Sequence, residues 1–231
     1  MRVLSGMSGF AYKEWKGSFY PADLPAEGML AHYAFRFPTV EINSTFYRMP
    51  KEDVLLDWAR RVPAEFTFCL KASRRITHDA RLDGVEDLLE YVLRTASVLD
   101  QRRGPMLFQL PPFQRKDLAR LRDFLALLPR GWRTVMEWRH SSWFDDEVYA
   151  LLRDHGVALC VAEQEEGATP MVPTAPWGYV RLHRSGYTDA DLAAWATRIR
   201  EQPWDEVFVF FKHEEDIAGP AVAQRFADLA G

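Results

Sequence analysis

Thr134-Val135-Met136-Glu137-Trp138-Arg139-His140 is the stretch on which the reading of the fold turns. An apolar run climbs into a charged tip, and Ser141-Ser142-Trp143 then leads towards a helical pattern. Side chains alternate along a strand, so Glu137 and Arg139, two residues apart, point to one side. Thr39-Val40-Glu41-Ile42-Asn43 repeats the design with Glu41 and Asn43, and Tyr179-Val180-Arg181-Leu182-His183 repeats it with Arg181 and His183. Three apolar strands that each end in a polar i, i+2 pair read as walls of one shared site.

Working outward from these three, eight short apolar or β-branched runs recur: Val3–Met7, Thr39–Asn43, Phe66–Lys71, Met106–Leu110, Thr134–Trp138, Ala158–Ala162, Gly178–Leu182 and Val207–Phe211. Stretches of helical period follow most of them. They are Met29–Phe35, Glu52–Arg61, Asp83–Leu99, Asp117–Leu128, Asp145–Asp154, Thr188–Arg200 and Pro220–Leu229. Thr188-x-x-Asp191 has the spacing of a capping box, and Gly131 and Gly156 suit helix stops. Gln164–Pro176 carries three prolines, a glycine and no period, so it reads as a loop. Strand and helix alternating eight times predicts a parallel sheet closed into a single-domain α/β (β/α)8 TIM-like barrel over 1–231, with an irregular link after the sixth strand. A doubly wound open sheet is the alternative, but no glycine-rich phosphate turn follows the first strand.

The chain has 231 residues, 29 Lys and Arg against 33 Asp and Glu, and a net charge of −4. That balance gives no reason to expect broad binding to nucleic acid or to an anionic membrane. No signal-peptide pattern and no long apolar run are present, which predicts a cytoplasmic protein with no membrane partner. Cys69 and Cys160 lie in separate predicted strands and read as reduced core thiols.

A barrel carries its chemistry at the C-terminal ends of the strands. That rim gathers Tyr12, Trp15, Glu41, Asn43, Thr45, Tyr47, Lys71, His78, Gln109, Glu137, Arg139, Trp143, Glu163, Arg181, His183, Lys212 and His213. Glu41 and Glu137 are candidates for a general acid and base facing each other, one ionised beside cations and the other kept protonated by Trp15, Phe46 or Trp143. His183 joins them as a candidate catalytic group. Lys71, Arg139 and Arg181 suit a phosphate or carboxylate. The competing reading is an ion-pair network that serves packing alone. No organic-cofactor motif is present. A divalent metal on His78, His183, His213 and the two glutamates has little support, because no two histidines stand at i, i+4. The aromatics Phe10, Tyr12, Trp15, Phe19, Tyr20, Phe46 and Tyr47 read as packing for long loops, with sugar or base stacking as the sharper alternative. Ser141-Ser142 lacks a nucleophile-elbow context and reads as the opening of a helix.

These motifs together resemble the domain-of-unknown-function 72 family, also called YecE-like. The resemblance rests on Gly6-Met7-Ser8-Gly9-Phe10 with Tyr12, Trp15 and Phe19-Tyr20-Pro21; on Val40-Glu41-Ile42-Asn43-Ser44-Thr45-Phe46-Tyr47; on Phe68, Lys71 and Ile76-Thr77-His78; and on Gln109-Leu110-Pro111-Pro112, Glu137-Trp138-Arg139-His140 with Trp143, and Val180-Arg181-Leu182-His183. It covers nearly the whole chain. It implies a TIM-like barrel and supplies no activity. Arg184 stands where many relatives have Gly, and Lys212-His213 where many have Asn-Asn. The functional expectation is an enzyme of hydrolase or isomerase type, acting on a small anionic substrate, with phosphorylated and sugar-containing molecules first to try. The alternative is a nucleic-acid-binding protein or a metal-dependent phosphodiesterase on the pattern of barrel nucleases. A non-catalytic sensor of the same anion is the third class.

Overall fold

The computed structural model describes residues 1–212 and 219–231. Its eight parallel strands are Arg2–Met7, Thr39–Ile42, Thr67–Lys71, Arg103–Gln109, Thr134–Glu137, Ala158–Gln164, Trp177–Leu182 and Glu206–Phe211. Each pairs with its neighbours in chain order, the first with the eighth and the fifth with the sixth, so the sheet closes on itself. The result is a closed (β/α)8 barrel, as the alternation predicts.

The helices are α1 (Ala26–Arg36), α2 (Glu52–Arg60), α3 (Glu86–Ser97), α4 (Leu118–Ala126), α5 (Asp146–Asp154), α6 (Asp189–Arg200) and α7 (Gly219–Ala230). For α4, α5 and α6 sequence and structure agree on the start to within a residue, because side-chain caps are local chemistry; α1 and α3 have no such cap and start three residues from the expected positions. Thr188 accepts from the Asp191 amide, and the Asp191 carboxylate accepts from the Thr188 amide at 2.9 Å. Gly156 follows the C-cap of α5, His155, with a φ of 63°, where a side chain would be strained; Gly131, expected as a stop, instead lies in a turn four residues beyond Leu127, the C-cap of α4, with a φ of 79°. Ser141-Ser142 opens only a short 3-10 turn, Ser141–Trp143; α5 itself is capped by Asp145, whose side chain accepts from the Glu147 amide. Among the described residues no helix is long and apolar enough to cross a membrane.

No helix follows the sixth strand. The chain turns back in a two-residue antiparallel pairing at Gly167–Ala168 and then runs irregularly. Threonines fasten it: Thr169 Oγ1 accepts from the Ala162 amide at 2.9 Å, while Thr174 Oγ1 accepts from the Leu159 amide and donates to the Val157 carbonyl. Prolines remove amide donors that a helix would need, and these hydroxyls supply partners instead.

Alternation splits the apolar residues into two cores. Outward-facing strand residues pack on the helices in the larger one. Leu4, Cys69, Leu107, Val135, Cys160, Tyr179, Phe208 and Phe210 fill the barrel interior. Both cysteines are free and buried there, and burial raises their thiols well above the ordinary range. The first and second strands pair over only two residues; Tyr33 sits at that junction, accepting from the Met7 amide and donating to the Thr39 carbonyl.

Candidate active site

The inward positions turn from apolar to charged in the last layer before the C-terminal mouth. Glu41, Glu137 and Arg181 are all buried there, on the second, fifth and seventh strands. A guanidinium has two terminal nitrogens in one plane, and each takes a carboxylate: Arg181 Nη1 donates to Glu137 Oε2 at 2.6 Å and Nη2 to Glu41 Oε1 at 2.9 Å. Glu41 also accepts from Ser8 Oγ at 2.7 Å, Asn43 Nδ2 at 3.1 Å and Tyr179 OH at 2.7 Å. Glu137 Oε1 accepts from Gln109 Nε2 at 2.7 Å, with Arg139 Nε 3.5 Å away.

This network sets the charges. Burial works to raise the Glu41 pKa, but Arg181, Ser8 and Tyr179 outweigh it and bring it to about 2. Glu137 is likewise lowered: burial opposes the shift, and Arg181, Arg139 and Gln109 win. Both carboxylates are therefore ionised. The expected division into one ionised and one protonated group is not met, because one guanidinium serves both, Trp15 and Trp143 lie elsewhere, and Phe46 faces Lys71 and His78. Trp143 is buried outside the barrel, stacked on Trp138 at 4.2 Å and donating to the Gln114 carbonyl. Trp15 is fully buried among Tyr12, Phe19 and Tyr20. Neither presents a face to a ligand, so packing, not stacking, is the role of these two. Arg181 likewise has both terminal nitrogens occupied, which moves it from the expected ligand contacts to the foundation beneath them.

The groups left nearer solvent are Lys71, Arg139, His78, His183, Asn43 and Tyr12. Lys71 Nζ donates to Gln109 Oε1 at 2.9 Å and lies 4.4 Å from the centre of the Phe46 ring. Burial, Arg181 and Arg139 draw its pKa down to about 8, against the pull of Glu137 and Glu41. Gln109 is buried and bridges Lys71 to Glu137, so it positions rather than presents. His78 stands on the turn Arg75–Asp79, bonded to Thr77 Oγ1 at 2.9 Å and edge-on to Phe46; burial and then Lys71 lower its pKa. Arg139 keeps its side chain 37% exposed. Tyr12 is half-buried and donates to the Ser8 carbonyl. Tyr47 and Lys212 are exposed on the rim. Thr45 is buried and donates to the Ile42 and Lys71 carbonyls. Glu163 is tied to Tyr187 and Trp195, away from this group. His213 lies outside the described residues.

His183 is half-buried, and burial and Arg181 push its pKa down to about 3, so the imidazole is neutral. Its Nε2 lies 3.2 Å from Ser8 Oγ. Ser8 gives its proton to Glu41, so its oxygen accepts from His183 Nε2–H, and the free lone pair falls on Nδ1. Ser8 and Tyr179 are the site residues that the strand-tip reading missed. Tyr179 lies two positions before Arg181, so carrying the alternation one step deeper finds it. Ser8 follows the first strand and only its resemblance motif marks it. Among the described residues no three His, Cys, Asp or Glu side chains form a metal-holding group. Glu41 and Glu137 are engaged with Arg181, and His78 and His183 hold other partners.

A closed eight-stranded barrel with a charged cluster at its C-terminal mouth defines the protein's class as TIM-like. The chain belongs to the family described as "Protein of unknown function DUF72", whose model matches residues 4–231. It is similar to the UPF0759 protein YecE of Escherichia coli K12, 37% identical over 116 residues, and to the UPF0759 protein YunF of Bacillus subtilis 168, 25% identical over 188 residues. Those matches span 50% and 74% of this chain and 43% and 64% of the relatives. A solved DUF72 family protein from Thermotoga maritima matches with a TM-score of 0.82 and 25% identity, covering 99% of both chains. One from Enterococcus faecalis V583 matches in fold, with a TM-score of 0.85 at 16% identity, over 99% of this chain and 95% of its own.

Proposed function

We propose that this protein is an enzyme of hydrolase or isomerase type that binds a small anionic substrate at the barrel mouth. The charge count carries the reading. Two buried carboxylates face one buried guanidinium, and Lys71 and Arg139 more than make up the difference. The mouth thus holds a surplus positive charge inside an acidic protein. Burial is the main cause of the depressed Lys71 pKa, with Arg181 and Arg139 adding to it, and a bound anion would favour the charged amine again. His183 is the proton-transferring group in this reading, with Nδ1 as its working atom. Glu41, through Ser8, fixes its tautomer, and Glu137, through Gln109, holds Lys71; both glutamates are positioning residues. Calorimetric titration with phosphate, sulfate and phosphorylated sugars tests the site. Arg139→Ala is expected to weaken the tightest of these by about tenfold, the loss of one charge-assisted contact. Unchanged affinity in both Arg139→Ala and Lys71→Gln would defeat the reading.

One observation favours nucleic acid as a second reading. Tyr47, Arg48, Lys51, Arg75 and Tyr91 line a groove of about 590 Å³ beside the rim, where cations and aromatics alternate. Binding of a single strand whose affinity falls steeply with salt would support it, and affinity for phosphate alone would not.

A further inference from the structure

We propose that Lys71 is an amine nucleophile, forming a covalent imine with a small carbonyl compound that carries a carboxylate or phosphate group. This rests on the anion-site reading above and adds a reaction to it. The surroundings of Lys71 are those of a reactive amine, not of a fixed cation. Its Nζ bonds the neutral amide oxygen of Gln109, and among the described residues no carboxylate lies within ion-pair distance of it; the face of the Phe46 ring, 4.4 Å away, is the weaker partner left to its ammonium. Lys116 shows the contrast: two carboxylates, Asp145 at 2.9 Å and Glu147 at 3.2 Å, hold its ammonium on the surface. The orientation of Gln109 is not free. Its Nε2 donates to Glu137 Oε1, which obliges Oε1 to face Lys71. An amide oxygen can accept from an ammonium or from a neutral amine and favours the ammonium far less than a carboxylate there would, which would have locked the proton on.

With its pKa drawn to about 8, Lys71 holds about a tenth of its amine free at pH 7, against less than about a thousandth for an ordinary lysine. Arg139, whose Nε is 3.5 Å from the same Glu137 oxygen that Gln109 contacts, stands ready as counter-ion for the anionic group. In the reaction the nitrogen lone pair forms a C–N bond to the carbonyl carbon, and the C=O π pair moves to oxygen. The nitrogen loses one proton and the oxygen gains one, giving a carbinolamine; its hydroxyl then takes a second proton and leaves as water while the nitrogen lone pair forms C=N, and the nitrogen's remaining proton is released to give the imine. No oxidant or reductant is consumed, and hydrolysis returns the free amine.

Reductive trapping tests this. The full chain is incubated with pyruvate, or separately with glyceraldehyde 3-phosphate. Cyanoborohydride then reduces any imine to a stable secondary amine, and peptide mass mapping locates it among the six lysines of the sequence. Lys71 is expected to carry the adduct in at least tenfold preference over Lys51 and Lys212, with labelling that rises as pH passes about 8. The arm that labels at lower concentration names the anionic group. Phosphate is expected to compete, and Lys71→Arg, which keeps a cation but no nucleophilic amine at the mouth, to lose the adduct. Label spread evenly over the surface lysines overturns the proposal. So does an unlabelled Lys71 in a protein that still binds phosphate, and that result leaves the anion site standing. Absence of both label and phosphate binding rejects the two together.

Discussion

Arg181→Met is the substitution that most directly probes the charged layer. It keeps much of the side-chain volume and removes the hydrogen bonds at 2.6 and 2.9 Å to Glu137 and Glu41. Both glutamates are out of solvent, so neither can exchange the lost partner for water. Breaking a buried pair costs about 3–5 kcal/mol, a large part of the stability of an ordinary domain. For a chain of this length that corresponds to a fall in Tm of roughly 6–20 °C. The pH dependence gives a sharper signature. In the native protein Glu41 has a pKa of about 2 against an ordinary 4.5, so its stabilisation is present above pH 4.5 and lost as pH falls towards 2. His183, lowered from 6.5 to about 3, acts in the same sense, its contribution lost as pH falls below 6.5. In the variant the buried carboxylates lose their cation and their pKa values rise above the unfolded value. Stability is then fully present below that value and lost as pH rises. Native protein should therefore weaken on acidification from pH 7 to 5, while Arg181→Met should strengthen. Urea unfolding followed by circular dichroism at pH 7, 6 and 5 reads both slopes. A variant that loses less than about 1 kcal/mol, or that keeps the native slope, would refute the account of the layer as a single charge-balanced unit.

Three further outcomes are expected. A Cβ at Gly6 would lie 2.2 Å from the Thr39 carbonyl oxygen and 3.0 Å from the Tyr33 hydroxyl. Gly6→Ala should thus force the first two strands apart at their short junction and cost about 1–3 kcal/mol or more by thermal melt. Thr188→Ala removes the helix cap and should lower stability by about 1 kcal/mol without changing anion affinity, which calorimetry checks. Affinity for sulfate, which does not itself titrate in this range, should fall as pH rises through 8 and Lys71 loses its proton; a flat profile from pH 7 to 9.5 would remove Lys71 from the site.

The barrel was legible in the sequence because its signals are local. Strand runs, helical period, the Thr188–Asp191 box and the Gly156 stop each depend on neighbours in the chain, and most boundaries fall within three residues of those observed. The three i, i+2 pairs also located the charged layer correctly, since alternation transfers directly from a strand to a closed sheet. What local pattern could not supply was who shares whom. Nothing in the spacing of Glu41, Glu137 and Arg181 says that one guanidinium would serve both acids, and that sharing decides their protonation. Trp15 and Trp143 were misplaced for a related reason: they sit in loops beyond strand tips, where no period states whether a ring turns to the mouth or away from it. Ser8 is a small residue with no pattern of its own, and its part emerges only once Glu41 and His183 are seen on either side of it.

Arg181 joins strands that are not neighbours in the barrel wall, reaching the second strand across 140 residues of chain and the fifth across 44. Hydrogen-bonded ladders form as each strand docks on the one beside it, whereas these two bonds require the hoop to be closed and dry. Contacts that need the closed hoop are expected to form late, so Arg181→Met should speed unfolding far more than it slows folding, which the two arms of a chevron plot check. An interaction gained after the barrier holds the native state by slowing escape from it, with little effect on the rate of arrival. The charged layer thus acts as a latch on the finished barrel, and its contribution to the protein's persistence is a matter of lifetime as much as of equilibrium.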